Sequence, residues 1–173
     1  MQNHFELFKL PEQFAVDRQA LDKAYRDIQN LVHPDRFIDA PESDRRAALQ
    51  WASLANDAYQ TLRNPVKRAA YLCSLKGFPL DPASGSAMPS DFIFEQIEWR
   101  EHLDNAKIEK DLDALETLGN HLRERTREQL ATIENELNSH NYATAIQEVR
   151  KMMFLQKFGD EISYAFEALD KTA

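Results

Sequence analysis

Apolar side chains recur at spacings of three and four residues along most of the 173-residue chain. The two clearest runs extend from Leu21 to Val32 and from Ala48 to Leu62. Because an α-helix has 3.6 residues per turn, this spacing collects apolar side chains on one helical face. Glycine, which weakens helices, occurs only four times in the chain. The sequence therefore predicts an all-α protein.

Residues 1–76 are predicted to form one domain around an antiparallel helix pair. A short apolar opening at residues 5–10 precedes the first long helix, for which Asp17 is a suitable N-cap. A loop of residues 33–42 follows, and after the second long helix a further helix is expected at residues 65–77. The predicted core residues of the two long helices are Leu21, Ala24, Tyr25, Ile28, Leu31, Val32, Ala48, Trp51, Leu54, Ala55, Ala58 and Leu62.

Residues 77–90 are predicted to link this domain to a second one at residues 91–173. Within the linker, residues 78–90 hold three of the seven prolines and one of the four glycines.

Three helices are expected in the second domain, because apolar residues again recur at helical spacing. Their predicted bounds are Ser90 or Asp91 to near Asp104, about Ala106 to Asn138, and about Asn141 to Asp170. The middle helix is assigned the stripe of Ile108, Leu112, Leu115, Leu122, Leu130, Ile133 and Leu137. Three helices with short connections can bury their stripes only against one another, so we expect an antiparallel three-helix bundle, with no fourth layer to cover a second apolar face of its first helix.

The first helix of the bundle carries apolar side chains on two faces. At 100° per residue, Phe92, Trp99 and Leu103 share one face, while Ile93, Phe94 and Ile97 lie roughly opposite, beside Glu98 and Glu101. Phe154 is similarly out of phase with the apolar stripe of its own helix, and Phe158 could belong to either the core or this surface. An exposed apolar patch with an acidic rim is typical of a protein-binding site.

Charge and composition limit the possible functions. The net charge of −8 argues against nucleic-acid binding, and residues 77–173 carry most of the excess, with 19 acidic and 10 basic side chains. Cys73 is the only cysteine, so no disulfide or thiolate metal cluster is expected, and Cys73 itself is predicted to be a small buried residue. The sequence shows neither a signal peptide nor a membrane span, which predicts a cytoplasmic protein with no membrane partner.

An enzyme is the main rival class. His33 and Asp35 could form an acid–base pair, but no nucleophile or glycine-rich phosphate loop accompanies them. His102, His121 and His140 lie 19 residues apart and lack the spacing of metal ligands. We therefore expect no enzymatic activity, no metal and no cofactor. A purely structural helical protein remains as a further alternative.

The tripeptide His33-Pro34-Asp35 stands at the end of the first long helix. Proline disfavours helical backbone in the residue before it, so the helix should stop there and leave both polar side chains on an exposed bend. With its flanks, the tripeptide resembles the J-domain family. The resemblance is carried by the apolar opening at residues 5–11, by residues 54–65 and by residues 68–72.

The whole chain resembles the HscB family, the bacterial J-type co-chaperones of iron–sulfur cluster assembly. Residues 94–101 and 150–155 carry this closer likeness. The resemblance implies a J domain followed by a C-terminal three-helix bundle, and two partners: a DnaK-type, HscA-like chaperone and an IscU-type scaffold protein. An adaptor that delivers a different client to the chaperone is the alternative.

The resemblance also implies a role for particular residues. His33, Pro34 and Asp35 would stimulate the chaperone's ATPase, with Lys23, Arg26 and Arg36 as docking charges. The positive face is thin, because Gln29 and Asn30 stand where basic residues are common in J domains, which favours a dedicated chaperone. The residues that would bind the scaffold are Ile93, Phe94, Ile97, Glu98, Glu101 and Phe154.

Overall fold

The computed structural model describes residues 2–81 and 88–170, and within these ranges all regular structure is helical. The prediction of an all-α protein is therefore confirmed. The helices are α1 (His4–Leu7), α2 (Arg18–Leu31), α3 (Glu42–Arg63), α4 (Pro65–Leu75), α5 (Ser90–Glu109), α6 (Leu112–Asn138) and α7 (Tyr142–Asp170), with a 3-10 turn at Pro34–Phe37.

Helices α2 and α3 form an antiparallel hairpin. The Asp17 carboxylate caps α2, as predicted. It accepts hydrogen bonds from the backbone N–H groups of Gln19 and Ala20, at 2.9 and 3.2 Å. The rings of Tyr25 and Tyr59 stack with centroids 4.1 Å apart, and the Tyr59 hydroxyl donates to Asp22 Oδ1 at 2.8 Å. The Tyr25 hydroxyl donates to Asn56 Oδ1 at 3.2 Å. These contacts fix the register of the hairpin.

Three residues that the helical pattern assigned to the hairpin core are exposed instead. Leu31, Trp51 and Leu54 expose 61%, 46% and 42% of their surface. The reason is geometric, because two helices bury only the strip along which they touch, and a helical stripe wider than that strip is left with uncovered edges. The prediction was correct for Leu21, Ala48, Ala55, Ala58 and Leu62, which are buried.

The C-terminal helices form the expected bundle, but two of their boundaries differ from the prediction. Helix α5 continues past Asp104 to Glu109, and α6 begins at Leu112 rather than near Ala106. Ile108, which was assigned to the stripe of the middle helix, therefore lies on α5 and is 79% exposed. Arg125 of α6 joins the helices, since its guanidinium contacts the Glu95 carboxylate of α5 at 3.0 Å.

The second apolar face of α5 is left exposed, as expected, but a fourth helix covers another part of the bundle. Helix α4 packs directly against α6 and α7, and the buried residues of the two halves form one continuous cluster. Beyond α4, the ring of Phe78 stacks on Tyr142 of α7, with centroids 6.3 Å apart. Residues 82–87 of the predicted linker, and residues 171–173, lie outside the described part of the chain.

A partly buried cation lies near this contact between the halves. The Arg68 guanidinium sits over the Phe14 ring, 4.8 Å from its centroid, and donates to the Leu62 carbonyl oxygen at 2.6 Å. Burial lowers the pKa of Arg68, while the attraction of Glu134 on α6 opposes that shift. The N-terminal helices and the bundle are therefore held together by apolar packing, and Arg68 and Glu134 attract each other across the contact.

Candidate functional site

The His33-Pro34-Asp35 tripeptide leaves α2 as an ordered, exposed turn. His33 adopts φ −59° and ψ 132°, an extended conformation of the kind proline requires before it, and Pro34 opens the 3-10 turn. The Nδ1 atom of His33 accepts a hydrogen bond from the Asp35 backbone N–H at 3.3 Å. Because Nδ1 is the acceptor, the ring proton resides on Nε2 in the neutral imidazole. The side chains of His33 and Asp35 are 57% and 80% exposed.

Arg36 fixes the turn to the helix that precedes it. Its Nη1 donates to the Asn30 carbonyl oxygen at 3.2 Å, one of the carbonyls that the end of α2 leaves without a helical partner. The 3-10 turn also packs against α3. The tripeptide is thus supported from both helices of the hairpin, and Arg36 has a structural contact in addition to its predicted docking role.

One of the three predicted docking residues on the positive face already forms an ion pair within α2. Lys23 Nζ lies 2.7 Å from Asp27 Oδ2, one turn along α2, so much of its charge is neutralised locally. Arg26 is exposed and forms no ion pair with any residue in the described ranges. The net positive charge beside the tripeptide therefore comes mainly from Arg26 and Arg36.

The predicted scaffold-binding residues form an exposed surface along the seam between α5 and α7. Ile93, Phe94, Ile97 and Phe154 expose between 44% and 69% of their surface, although each is a large apolar residue. Glu98 and Glu101 are exposed beside them on α5. We call these six residues the α5–α7 surface. The structure brings all of them to the outside of the bundle, away from the covering helix α4.

Contacts beneath the α5–α7 surface hold its two helices together. The buried Phe92 ring packs edge-on against Phe154, with centroids 6.3 Å apart and planes at 80°. About two turns further along, the Arg100 guanidinium forms two hydrogen bonds to the Glu161 carboxylate, at 2.9 and 3.2 Å. Phe158 is fully buried and packs on Trp99 at 5.6 Å, so Phe158 belongs to the core. These contacts join α5 to α7 beneath the surface.

The sequence pattern did not single out Met153, which lies beside Phe154 and is 46% exposed. A signal for it existed, because Met153 also falls outside the buried stripe of α7. Methionine is flexible and adapts to irregular apolar partners, so Met153 is a further candidate for the apolar surface.

The structure also bears on three other possibilities: a reactive thiol, a metal site and a membrane-spanning helix. Cys73 is fully buried, and burial raises the pKa of its thiol to about 11, so the thiolate is suppressed at neutral pH. Among residues 2–81 and 88–170, no three His, Cys, Asp or Glu side chains are arranged to hold a metal ion. No helix in the described ranges is both long and apolar enough to cross a membrane.

Comparison with known proteins shows which family shares this sequence and architecture. Residues 88–163 match the family model of the HSCB C-terminal oligomerisation domain. A co-chaperone protein HscB homolog from Burkholderia multivorans is 43% identical over 168 residues, which cover 97% of this chain and 96% of the relative. The chain belongs to the HscB co-chaperone family. A second HscB homolog, from Ralstonia nicotianae, is 46% identical and covers 96% of both chains.

Solved structures of the HscB family share the fold. The chaperone HscB from Vibrio cholerae superposes with a TM-score of 0.85 at 36% identity, covering 96% of this chain and 99% of its own. The predicted combination of a J domain and a C-terminal helical domain is thereby confirmed. All six residues of the α5–α7 surface lie inside the range that matches the HscB C-terminal model.

Proposed function

We propose that this chain binds an IscU-type iron–sulfur scaffold through the α5–α7 surface and presents it to a DnaK-type, HscA-like chaperone. The tripeptide His33-Pro34-Asp35 then stimulates ATP hydrolysis by that chaperone. The observation that carries the proposal is the exposed tripeptide, held by the His33 cap and by the contact from Arg36 to Asn30.

The geometry of the tripeptide suits recognition by a second protein. Its exposed groups are the Nε2–H of His33 and the carboxylate of Asp35, a donor and an acceptor at the tip of the hairpin. Because the turn is already ordered, little conformational entropy is lost when a partner binds it. Arg26 and Arg36 would chiefly orient the approaching chaperone and raise the association rate.

The α5–α7 surface suits a partner with an apolar patch. Its centre consists of Ile93, Ile97 and Phe154, and its rim is acidic, the arrangement expected of a compact protein interface. Apolar side chains at the centre would supply most of the affinity, and Glu98 and Glu101 would set orientation.

The tripeptide is separated from the bundle by the length of α3. Helix α3 leads from the tripeptide end of the hairpin to α4 and contains 22 residues. At 1.5 Å per residue, α3 spans about 33 Å. Because α4 packs against the bundle, the scaffold would be held at a defined position relative to the chaperone.

The chaperone half of the proposal is tested by ATP hydrolysis. Titration of the protein into a purified DnaK-type chaperone should raise its ATPase rate, and His33→Gln should abolish that rise. His121→Gln, which changes an exposed histidine on α6, is the matched control and should behave as the unmodified protein. Stimulation that survives His33→Gln would contradict the proposal.

The scaffold half is tested by binding. Ile97→Ala should weaken binding to a purified IscU-type scaffold at least tenfold in calorimetry, with an unchanged melting temperature. Ile108→Ala is the matched control, since Ile108 is an exposed isoleucine on the same helix but outside the surface. If His33-dependent ATPase stimulation is found but the scaffold is not bound, the chain is an adaptor for a different client.

A further inference from the structure

Helix α5 carries apolar side chains on two faces, and only one of these faces is turned inward. Phe92 and Leu103 are buried, whereas Ile93 and Ile97 are 44% and 48% exposed. The hydrophobic effect has no preferred direction, so it does not by itself decide which of two apolar faces is covered. Ion pairs and hydrogen bonds can make that choice, because they hold only within a narrow range of distance and angle.

Two ion pairs flank the buried face of α5. At 100° per residue, with Phe92 at 0°, Glu95 lies at −60° and Arg100 at +80°. The Glu95 carboxylate contacts the Arg125 guanidinium of α6 at 3.0 Å. The Arg100 guanidinium makes its two hydrogen bonds to Glu161 of α7. Each flank of the buried face is thus joined to a different neighbouring helix.

The two flanking residues oppose rotation of α5 about its own axis. A rotation of 100° would bring Ile93 to the inward position that Phe92 occupies. The same rotation would carry Arg100 into the apolar interior and turn Glu95 away from α6. Burying a guanidinium without its partner is costly. The ion pairs therefore favour the arrangement in which Ile97 points outward.

Arg125 is itself held from inside the bundle. Its Nη1 donates to Oε1 of Gln129 at 3.0 Å. Gln129 is only 2% exposed, and its Nε2 donates to the backbone carbonyl and the carboxylate of Glu148 on α7, at 2.9 and 2.6 Å. The other carboxylate oxygen of Glu148 accepts a hydrogen bond from Lys151 at 2.7 Å. A chain of polar contacts therefore runs from Glu95 through α6 to α7.

We propose that Glu95, Arg100 and Arg125 are positioning residues, which set the apolar face of α5 that is offered to the scaffold protein. They act through Ile97 and the other apolar residues of the α5–α7 surface. The inference rests on the proposed function and deepens it, since it explains which face of a doubly apolar helix binds the partner. Partly exposed ion pairs add little net stability, so their loss should affect the setting of α5 more than the melting temperature.

The test is a charge exchange within the Arg100–Glu161 pair. Arg100→Glu and Glu161→Arg each place like charges together, and the double variant restores an ion pair with reversed charges. Each single variant should weaken binding to a purified IscU-type scaffold about fivefold or more in calorimetry. The double variant should return to within about twofold of the unmodified protein. Arg127→Glu makes the same change of charge at an exposed arginine on α6, and this matched control should bind normally.

Trp99 reports the setting of α5 without the scaffold. It packs on the buried Phe158, and the Trp51→Phe variant leaves it as the only tryptophan. In that background, the single charge variants should make Trp99 fluorescence more accessible to quenching by acrylamide, and the double variant should restore the original quenching. Melting temperatures are measured in parallel. If Arg100→Glu is not folded, Arg100→Gln replaces it, because it removes the ion pair without adding a repulsion.

The outcomes distinguish positioning from direct contact. Weakened binding that the double variant does not restore would show that Arg100 or Glu161 touches the scaffold itself, which would overturn the proposal. Unchanged binding and unchanged quenching of Trp99 in the single variants would overturn it as well. If the unmodified protein does not bind the scaffold, the proposed function fails, and the quenching of Trp99 then decides whether the ion pairs set the exposed face of α5.

Discussion

The two nitrogens of the His33 ring have different environments, and this could not be read from the sequence. Proline at position 34 predicted where α2 stops, because its effect on the preceding residue is local. The hydrogen bond from the Asp35 N–H to Nδ1 depends on the rotamer of His33 and the tightness of the 3-10 turn. The turn also packs on α3, which lies several residues further along the chain, so a local sequence pattern does not determine this geometry.

At the residue scale, a second histidine links stability to pH. The His4 ring stacks on Tyr71 at 4.2 Å between centroids, and burial lowers its pKa below the ordinary 6.5, with Asp57 acting in the opposite direction. The unfolded chain therefore binds a proton at a higher pH than the folded protein. Stability contributed by neutral His4 is present above pH 6.5 and is lost as the pH falls from there toward the lowered pKa.

We predict that the free energy of unfolding decreases between pH 7 and 5.5 and that His4→Gln makes this decrease shallower. Urea unfolding at several pH values measures this pH dependence of the free energy of unfolding. The range lies above the ordinary pKa of carboxylates, so their titration contributes little to it. His140→Gln, at an exposed position outside this stack, should leave the slope unchanged. Equal slopes in the unmodified protein and His4→Gln would show that His4 does not contribute.

At the scale of elements, glycine and proline gave the clearest signals for helix ends. Gly77 has φ 88°, and the N–H of Phe78 bonds to the Cys73 carbonyl at 2.9 Å, the cap expected after α4. Helix α5 ends in the same motif, but Lys110 holds the left-handed position with φ 54°. The sequence carries no signal for a lysine there. The predicted end near Asp104 was therefore wrong.

The same observation gives a prediction about α5. Lys110→Gly should raise the free energy of unfolding by about 0.5–1 kcal/mol, because glycine adopts a positive φ without the steric cost that a side chain bears. Lys107→Gly, in the last turn of the same helix, should lower it by about 0.5–1 kcal/mol, since glycine is a poor helix former. Chemical denaturation measures both. Destabilisation by Lys110→Gly would mean that its side chain makes a contact worth more than the strain.

At the scale of the whole molecule, the packing of the two halves on each other was the feature that sequence patterns predicted least well. The helical stripes correctly indicated a hairpin and a three-helix bundle. An apolar stripe shows that a helix face is buried, but it does not specify which helix covers that face. Helix α4 covers part of α6 and α7, so apolar residues of the bundle have two kinds of partner. The α5–α7 surface stays exposed because α4 and the Phe78–Tyr142 contact lie elsewhere on the bundle.

This shared core predicts that the two halves unfold together. The chain has one tryptophan in each half, Trp51 on α3 and Trp99 on α5, so Trp99→Phe and Trp51→Phe leave one fluorescent probe in each half. Their guanidinium unfolding midpoints should coincide, because separating α4 from α6 and α7 would expose apolar surface of both halves.

The Phe78→Ala variant should shift both midpoints together to a lower denaturant concentration. The expected loss in the free energy of unfolding is about 1 kcal/mol, which is typical of a half-exposed contact. Phe94→Ala, an exposed residue on the α5–α7 surface, should move neither. Two separate transitions would instead show that the two halves are energetically independent.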